Sequence, residues 1–213
     1  MAARVIGVHG AFHEPWGPNQ VAARPRTVEE ALDQHHLSGL LDGASAQELV
    51  AGLQHALGDV LTVRLFDTIG RYVAEPDLRE AATARLQARI NPAATVLIAH
   101  SLGSIVAYEA LCAHPEWPIR TFVTIGSPLG APRVLGALRP APTDGRGAWP
   151  GGITTWVNVA AAGDIVAVQP RLAPVFGPGV RDELVDNGHR AHDPEPYLAA
   201  LATGRAVAAA LAG

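Results

Sequence analysis

Val96-Leu97-Ile98-Ala99-His100-Ser101-Leu102-Gly103-Ser104-Ile105-Val106-Ala107-Tyr108 is the stretch whose reading decides the fold. It opens as a short apolar run, the pattern of a strand buried on both faces. After His100-Ser101-Leu102 the apolar residues Leu102, Ile105, Val106, Tyr108 and Cys112 recur at helical spacing. The spacing therefore predicts a strand, a sharp turn at Ser101 and a helix. Small residues stand two before and two after the serine, Ala99 and Gly103. A bulky side chain at either place would collide with the neighbouring strand or helix of a turn this tight. Such a turn lifts the serine hydroxyl to the carboxyl edge of the sheet, above a helix N-terminus that favours negative charge.

This is the nucleophile-elbow pattern, Gly-x-Ser-x-Gly, with Ala99 in the first glycine position. Alanine adds one methyl group, which the turn tolerates. An ordinary strand–turn–helix with an exposed serine would look similar, so the rest of the chain has to decide. Chain length of 213 residues allows one domain, residues 1–213, with a substantial core, and leaves no room for a second large one. Net charge of −4 and a pI near 6.1 argue against nucleic acid or an anionic membrane surface as the main partner. Cys112 stands alone and cannot form an internal disulfide. The N-terminus runs straight into a strand without a basic-then-apolar leader, and no run approaches the ~18 apolar residues of a membrane span. A cytoplasmic protein is the expectation.

Arg4–Val8 reads as the first strand, ending in His9-Gly10-Ala11-Phe12; a loop of that kind can aim a backbone N–H at a reaction centre. Glu14 to Gln20 reads as loop, with Trp16 a candidate pocket wall. Helices are expected over Thr27–Leu41 and Ala46–Leu57, and a second strand over Val60–Phe66. His35 and His36 point to different sides of the first of these helices and read as surface residues, not metal ligands. Asp67 to Glu75 reads as loop or a small cover, and Pro76–Ile90 as a helix with Pro76, Asp77 and Glu80 in its first turn. The elbow helix ends near His114-Pro115. Ile119–Ile125 is the next strand, ending in Gly126-Ser127-Pro128; the Pro- and Gly-rich residues 131–152 read as a long loop. Ile153–Ala160 and Val180–Val185 are the last strands. A single closing helix is expected, with Tyr197, Leu201, Gly204, Ala208 and Leu211 on one face. Alternating strands and helices imply a parallel sheet of about six strands, covered on both sides.

Three loops after separate strands carry Ser101, Asp164 and His192 in that order. A serine hydroxyl is a weak nucleophile that needs an adjacent base; a histidine supplies it, and a buried carboxylate fixes the imidazole tautomer. Asp164 combines strand end and chain order better than Asp67, Asp144 or Asp186. For the base, His192 is preferred to His189, because Asp193-Pro194 and the helix bearing Tyr197 follow it and can brace the loop. His9 and His100 lie on the wrong segments for a base and suit hydrogen bonding and packing around the turn.

On Val8-His9-Gly10-Ala11-Phe12, Ala99-His100-Ser101-Leu102-Gly103, Gly126-Ser127-Pro128, Gly163-Asp164 and His192, the chain resembles the α/β-hydrolase superfamily, most of all its small lipase and esterase members without a large cap domain. Residues 13–90 and 131–152 carry no matching motif, and the family's leading hairpin has no counterpart. The resemblance implies an oxyanion hole formed by the backbone N–H of Leu102 and of Ala11, with Phe12 the alternative to Ala11. It implies cleavage of a small-molecule acyl ester through a Ser101–His192–Asp164 triad, with no metal and no organic cofactor. Phe12, Trp16, Leu129 and Ile165 are the candidate substrate-binding walls. The same triad serves a thioesterase, an amidase or an acyltransferase, and a non-catalytic binding protein of the same fold is the reading from a different class. A dinucleotide-binding domain is disfavoured because Val8 to Gly17 lacks Gly-x-Gly-x-x-Gly spacing.

Overall fold

A computed structural model of the protein describes residues 4–8 and 68–212. The calls on Ala11, Phe12, Trp16, His35, His36, the helices at 27–41 and 46–57 and the strand at 60–66 lie outside the described residues. The described strands form one all-parallel sheet whose spatial order follows the chain: β1 (Val5–Val8), β2 (Val96–His100), β3 (Thr121–Ile125), β4 (Thr155–Ala161) and β5 (Val180–Val185). The helices are α1 (Pro76–Gln87), α2 (Leu102–Ala113), α3 (Pro132–Leu135), α4 (Ala173–Phe176), α5 (Pro194–Ala199) and α6 (Leu201–Ala212). Among the described residues no helix is long and apolar enough to cross a membrane.

Successive strand residues point to opposite faces, so each strand divides its apolar residues between two cores. On one face Val96, Val123, Ile125, Val157 and Val159 are buried together with Tyr197 of α5 and Ala206 of α6. On the other, Leu97, Phe122 and Trp156 lie side by side in register. Trp156 there packs against Tyr108 of α2, Phe122, Trp149 and Phe176, with ring centroids 5.0–6.0 Å apart. Removing an aromatic side chain from such a core typically costs about 3–5 kcal/mol, so Trp156 anchors this face.

The next register row is polar. Thr124 donates to Asn158 at 2.9 Å, and Asn158 donates to Asp182 and to the Pro170 carbonyl, each at 2.9 Å. Asp182 also accepts the Leu172 and Ala173 amides at the start of α4. A polar row inside an apolar layer is tolerated because its members are paired. At β5, Arg181 and Glu183 form an exposed ion pair at 3.1 Å, and charged residues of this kind discourage further strand pairing.

Helix α2 is buried from Leu102 to Leu111, as an all-round apolar helix between two layers must be. Its one buried acid, Glu109, accepts hydrogen bonds from the Tyr72 hydroxyl (2.8 Å), Arg79 Nη1 (2.9 Å) and the Arg139 amide (2.9 Å). This cluster ties α1 and residues 68–74 to the back of α2.

Several elements differ from expectation. Residues 68–74 are helical rather than loop, with Ile69 and Tyr72 buried one turn apart. Residues 131–152 contain α3 and a small bridge between Thr143 and Arg146. The closing helix is two helices: Ala200 is extended (ψ 137°), and the Tyr197 carbonyl accepts the Ala200 amide and the Thr203 hydroxyl. The break rotates α6, so Thr203 and Ala206 are its buried residues while Leu201, Gly204 and Ala208 face outward.

Candidate active site

Ser101 joins β2 to α2 with φ 56° and ψ −134°, a conformation that costs a non-glycine residue about 1–3 kcal/mol. Neighbouring groups hold it there. The Ser101 amide donates to the Ile125 carbonyl at 3.2 Å, and the Ser101 carbonyl accepts the Ser104 amide and hydroxyl at 2.9 and 2.6 Å. With the Ser104 proton so used, Ser127 donates to Ser104 Oγ at 2.7 Å. These bonds pin the turn to the end of β3, and Ala99 is fully buried beneath it.

Asp164 follows β4 through Gly163, whose φ of 78° suits glycine. Its side chain is fully buried. Oδ1 accepts the Val166 amide at 2.9 Å and that of Ala167 at 3.3 Å, and Oδ2 accepts the Tyr197 hydroxyl at 2.6 Å. Burial alone would raise its pKa. Hydrogen bonding and charge from His192, with the Tyr197 and Val166 donors, outweigh that and hold the carboxyl below the usual aspartate range.

His192 comes from the loop between β5 and α5. Its Nδ1 lies 3.0 Å from both Asp164 oxygens and its Nε2 lies 3.0 Å from Ser101 Oγ. An ionised carboxylate only accepts, so the ring proton sits on Nδ1. Nε2 is then left as the acceptor for the Ser101 hydroxyl, which is the polarity a base requires. The loop is held in two ways. His100 Nε2 donates to the His192 carbonyl at 2.9 Å, with the two rings 4.7 Å apart. Arg190 bridges Asp193 (2.6 Å) and Glu195 (2.7 Å), setting the loop against the start of α5.

The sequence-predicted residues sort as follows. Ser101, Asp164 and His192 are brought together. His189 is exposed on a 3₁₀ turn, Gly188–Arg190. Of the rival acids, Asp186 caps that turn through the Gly188 amide and Asp144 sits in the Thr143–Arg146 turn. Leu102 opens α2, and the amide of a helix's first residue has no partner within the helix. Leu129 is fully buried, whereas Ile165, next to Asp164, is 54% exposed. A cavity of about 260 Å³, lined by Ala161, Gly163, Asp164, Val168, Pro170 and Leu184, borders the acid; Ser101 and His192 do not line it. Cys112 is no rival nucleophile, since burial pushes its thiol up to about 11. Among the described residues no three His, Cys, Asp or Glu side chains are grouped to hold a metal ion.

Sequence reasoning missed the roles of four residues. The helix bearing Tyr197 was expected to brace the base loop, and the Tyr197 hydroxyl itself reaches the acid. Ser104 and Ser127 lock the serine turn. Gly126, with φ 54°, has no side chain because a Cβ there would lie 3.0 Å from Asp164 Oδ2, 3.1 Å from Tyr197 and 3.3 Å from His100. A lone glycine at a strand end was the available signal for the last. Set against family models, curated proteins and solved structures, the chain matches none.

Proposed function

We propose that this protein is a serine hydrolase of the α/β-hydrolase type that cleaves a carboxylic ester through an acyl-enzyme. The observation that carries the reading is the relay from Asp164 through the two nitrogens of His192 to Ser101 Oγ, with both links at 3.0 Å. Support for the fold assignment comes from the parallel sheet and from the supply of serine, acid and base, in that order, by the loops after β2, β4 and β5.

In the proposed reaction Ser101 Oγ attacks the ester carbonyl while His192 Nε2 takes its proton. Negative charge then develops on the carbonyl oxygen, where the Leu102 amide at the start of α2 is one donor. Ala11, the second donor by resemblance, lies outside the described residues. The imidazolium formed is stabilised by Asp164 and returns its proton to the departing alkoxide. Water, deprotonated by His192, attacks the acyl-Ser101 carbonyl; collapse releases the acid and restores the serine. Thioester or amide cleavage, or acyl transfer to an alcohol, would use the same groups. A binding protein of this fold would have no need of a complete relay behind a strained serine.

A fluorophosphonate probe tests the reading. The wild type should be labelled and Ser101→Ala should not, and Ser101→Ala should lose p-nitrophenyl ester hydrolysis by on the order of 10⁴-fold or more. Graded acyl lengths would then define the substrate. Equal labelling of the two proteins would remove Ser101 as nucleophile; an inert wild type would favour the binding protein.

A further inference from the structure

We propose that Tyr197 is a positioning residue for ester cleavage, its hydroxyl fixing the Asp164 carboxylate so that both oxygens face His192 Nδ1; this rests on the hydrolase reading above. The two carboxylate oxygens are held differently. Oδ1 receives two backbone amides, whereas the phenol is the donor that Oδ2 receives besides His192. Without it Oδ2 loses its shortest hydrogen bond, and the carboxylate is free to turn about the axis set by the Oδ1 amides.

The phenol is itself fixed. Tyr197 is fully buried, and its oxygen accepts the Ala161 amide at 2.8 Å, so its own proton is aimed at Asp164. Burial, reinforced by the Asp164 charge, pushes the phenol's ionisation well above its ordinary range, which keeps it a donor throughout the working pH range. Its ring packs over Gly126, where a Cβ would touch both Tyr197 and Asp164. A carboxylate that accepts a short bond from a neutral donor is a weaker base. The proton on His192 therefore stays on Nδ1 during the reaction instead of crossing to Asp164. Tyr197 is the fourth residue of α5, the helix that directly follows the base loop, so one short helix is tied both to that loop and to the acid.

The test compares the full-length wild type with Tyr197→Phe, Asp164→Ala and the double variant, using p-nitrophenyl acetate and fluorophosphonate labelling. Tyr197→Phe should lower kcat about tenfold with KM within about twofold, since the lost bond matters once the imidazolium forms. In the Asp164→Ala background the same change should have no further effect on the labelling rate. By proton NMR, the downfield His192 Nδ1–H resonance, assigned by its loss in Asp164→Ala, should broaden in Tyr197→Phe through faster exchange with water. 3-Fluorotyrosine at position 197, which keeps the hydroxyl and the packing, should shift that resonance without broadening it, and carries the test if Tyr197→Phe does not fold. An unchanged kcat, an equal loss in both backgrounds or an undisturbed resonance overturns this proposal alone. A wild type inert to both ester and probe overturns the hydrolase reading and this proposal with it.

Discussion

Replacing Gly126 by alanine adds one methyl group at the point where three site residues meet. Two costs follow, and a second glycine separates them. At φ 54° a non-glycine residue pays about 1–2 kcal/mol in backbone strain. Gly145, at φ 73° in the turn between Thr143 and Arg146, would impose the same kind of strain on a side chain, with open space around its absent Cβ. Gly145→Ala should therefore cost that amount alone and leave activity untouched. At Gly126 the new Cβ would lie 3.0–3.3 Å from Asp164 Oδ2, Tyr197 Cε2 and His100 Nε2, and none of these is the loose end of a flexible chain. Overpacking in such surroundings adds about 1–3 kcal/mol, so Gly126→Ala should lose about 2–5 kcal/mol in total. The displaced acid also spoils the 2.6 Å bond from Tyr197 and the 3.0 Å bonds to His192, so kcat should fall in protein that remains folded. Urea unfolding of both variants, with ester turnover measured well below the transition, reads out the two effects. The reasoning is refuted if Gly126→Ala matches Gly145→Ala in stability and the wild type in kcat.

Two further outcomes concern buried charge. Because the folded Asp164 pKa lies below the ordinary value, its contribution to stability is fully present above about pH 4 and is lost as pH falls through the lower folded value. Urea midpoints of Asp164→Asn should thus decline less steeply than those of the wild type below about pH 4, and parallel curves would refute the assignment. Arg79 and Glu109 are 5% and 8% exposed, and Arg79→Met should cost about 3–5 kcal/mol by leaving the carboxylate without its cation. Adding Glu109→Gln to that variant should recover most of the loss in the same urea experiment; no recovery would mean that Arg79 acts through packing and not through its charge.

The sheet was legible because its strands announce themselves twice, by β-branched runs and by the glycines and small residues that end them. β5 has the bounds its sequence suggested, and Ser101, Asp164 and His192 were legible because each follows such a strand. His192 stood out from His189 through Asp193-Pro194, which fixes where α5 must begin. What stayed hidden depends on contacts between distant residues. Nothing in the alanine-rich run from Leu198 to Ala202 signals a break, since each residue favours helix. The chain turns at Ala200, and Tyr197 stays on Asp164 while α6 lies along the β3–β4 face. The helical residues at 68–74 are too few for periodicity to reveal. Tyr197 read as an ordinary core aromatic, because its hydroxyl meets an acid 33 positions earlier.

The hydrogen bond that His100 makes to the base loop goes to the main-chain carbonyl of His192. The position of the last loop is thus anchored through an atom that every amino acid possesses. A descendant of this gene that exchanged the histidine for another residue would keep that hydrogen bond, and with it the bend and the helix behind it. Form and reactivity are held by separate fastenings here, so a lineage could shed its chemistry in a single step and retain the scaffold for another use.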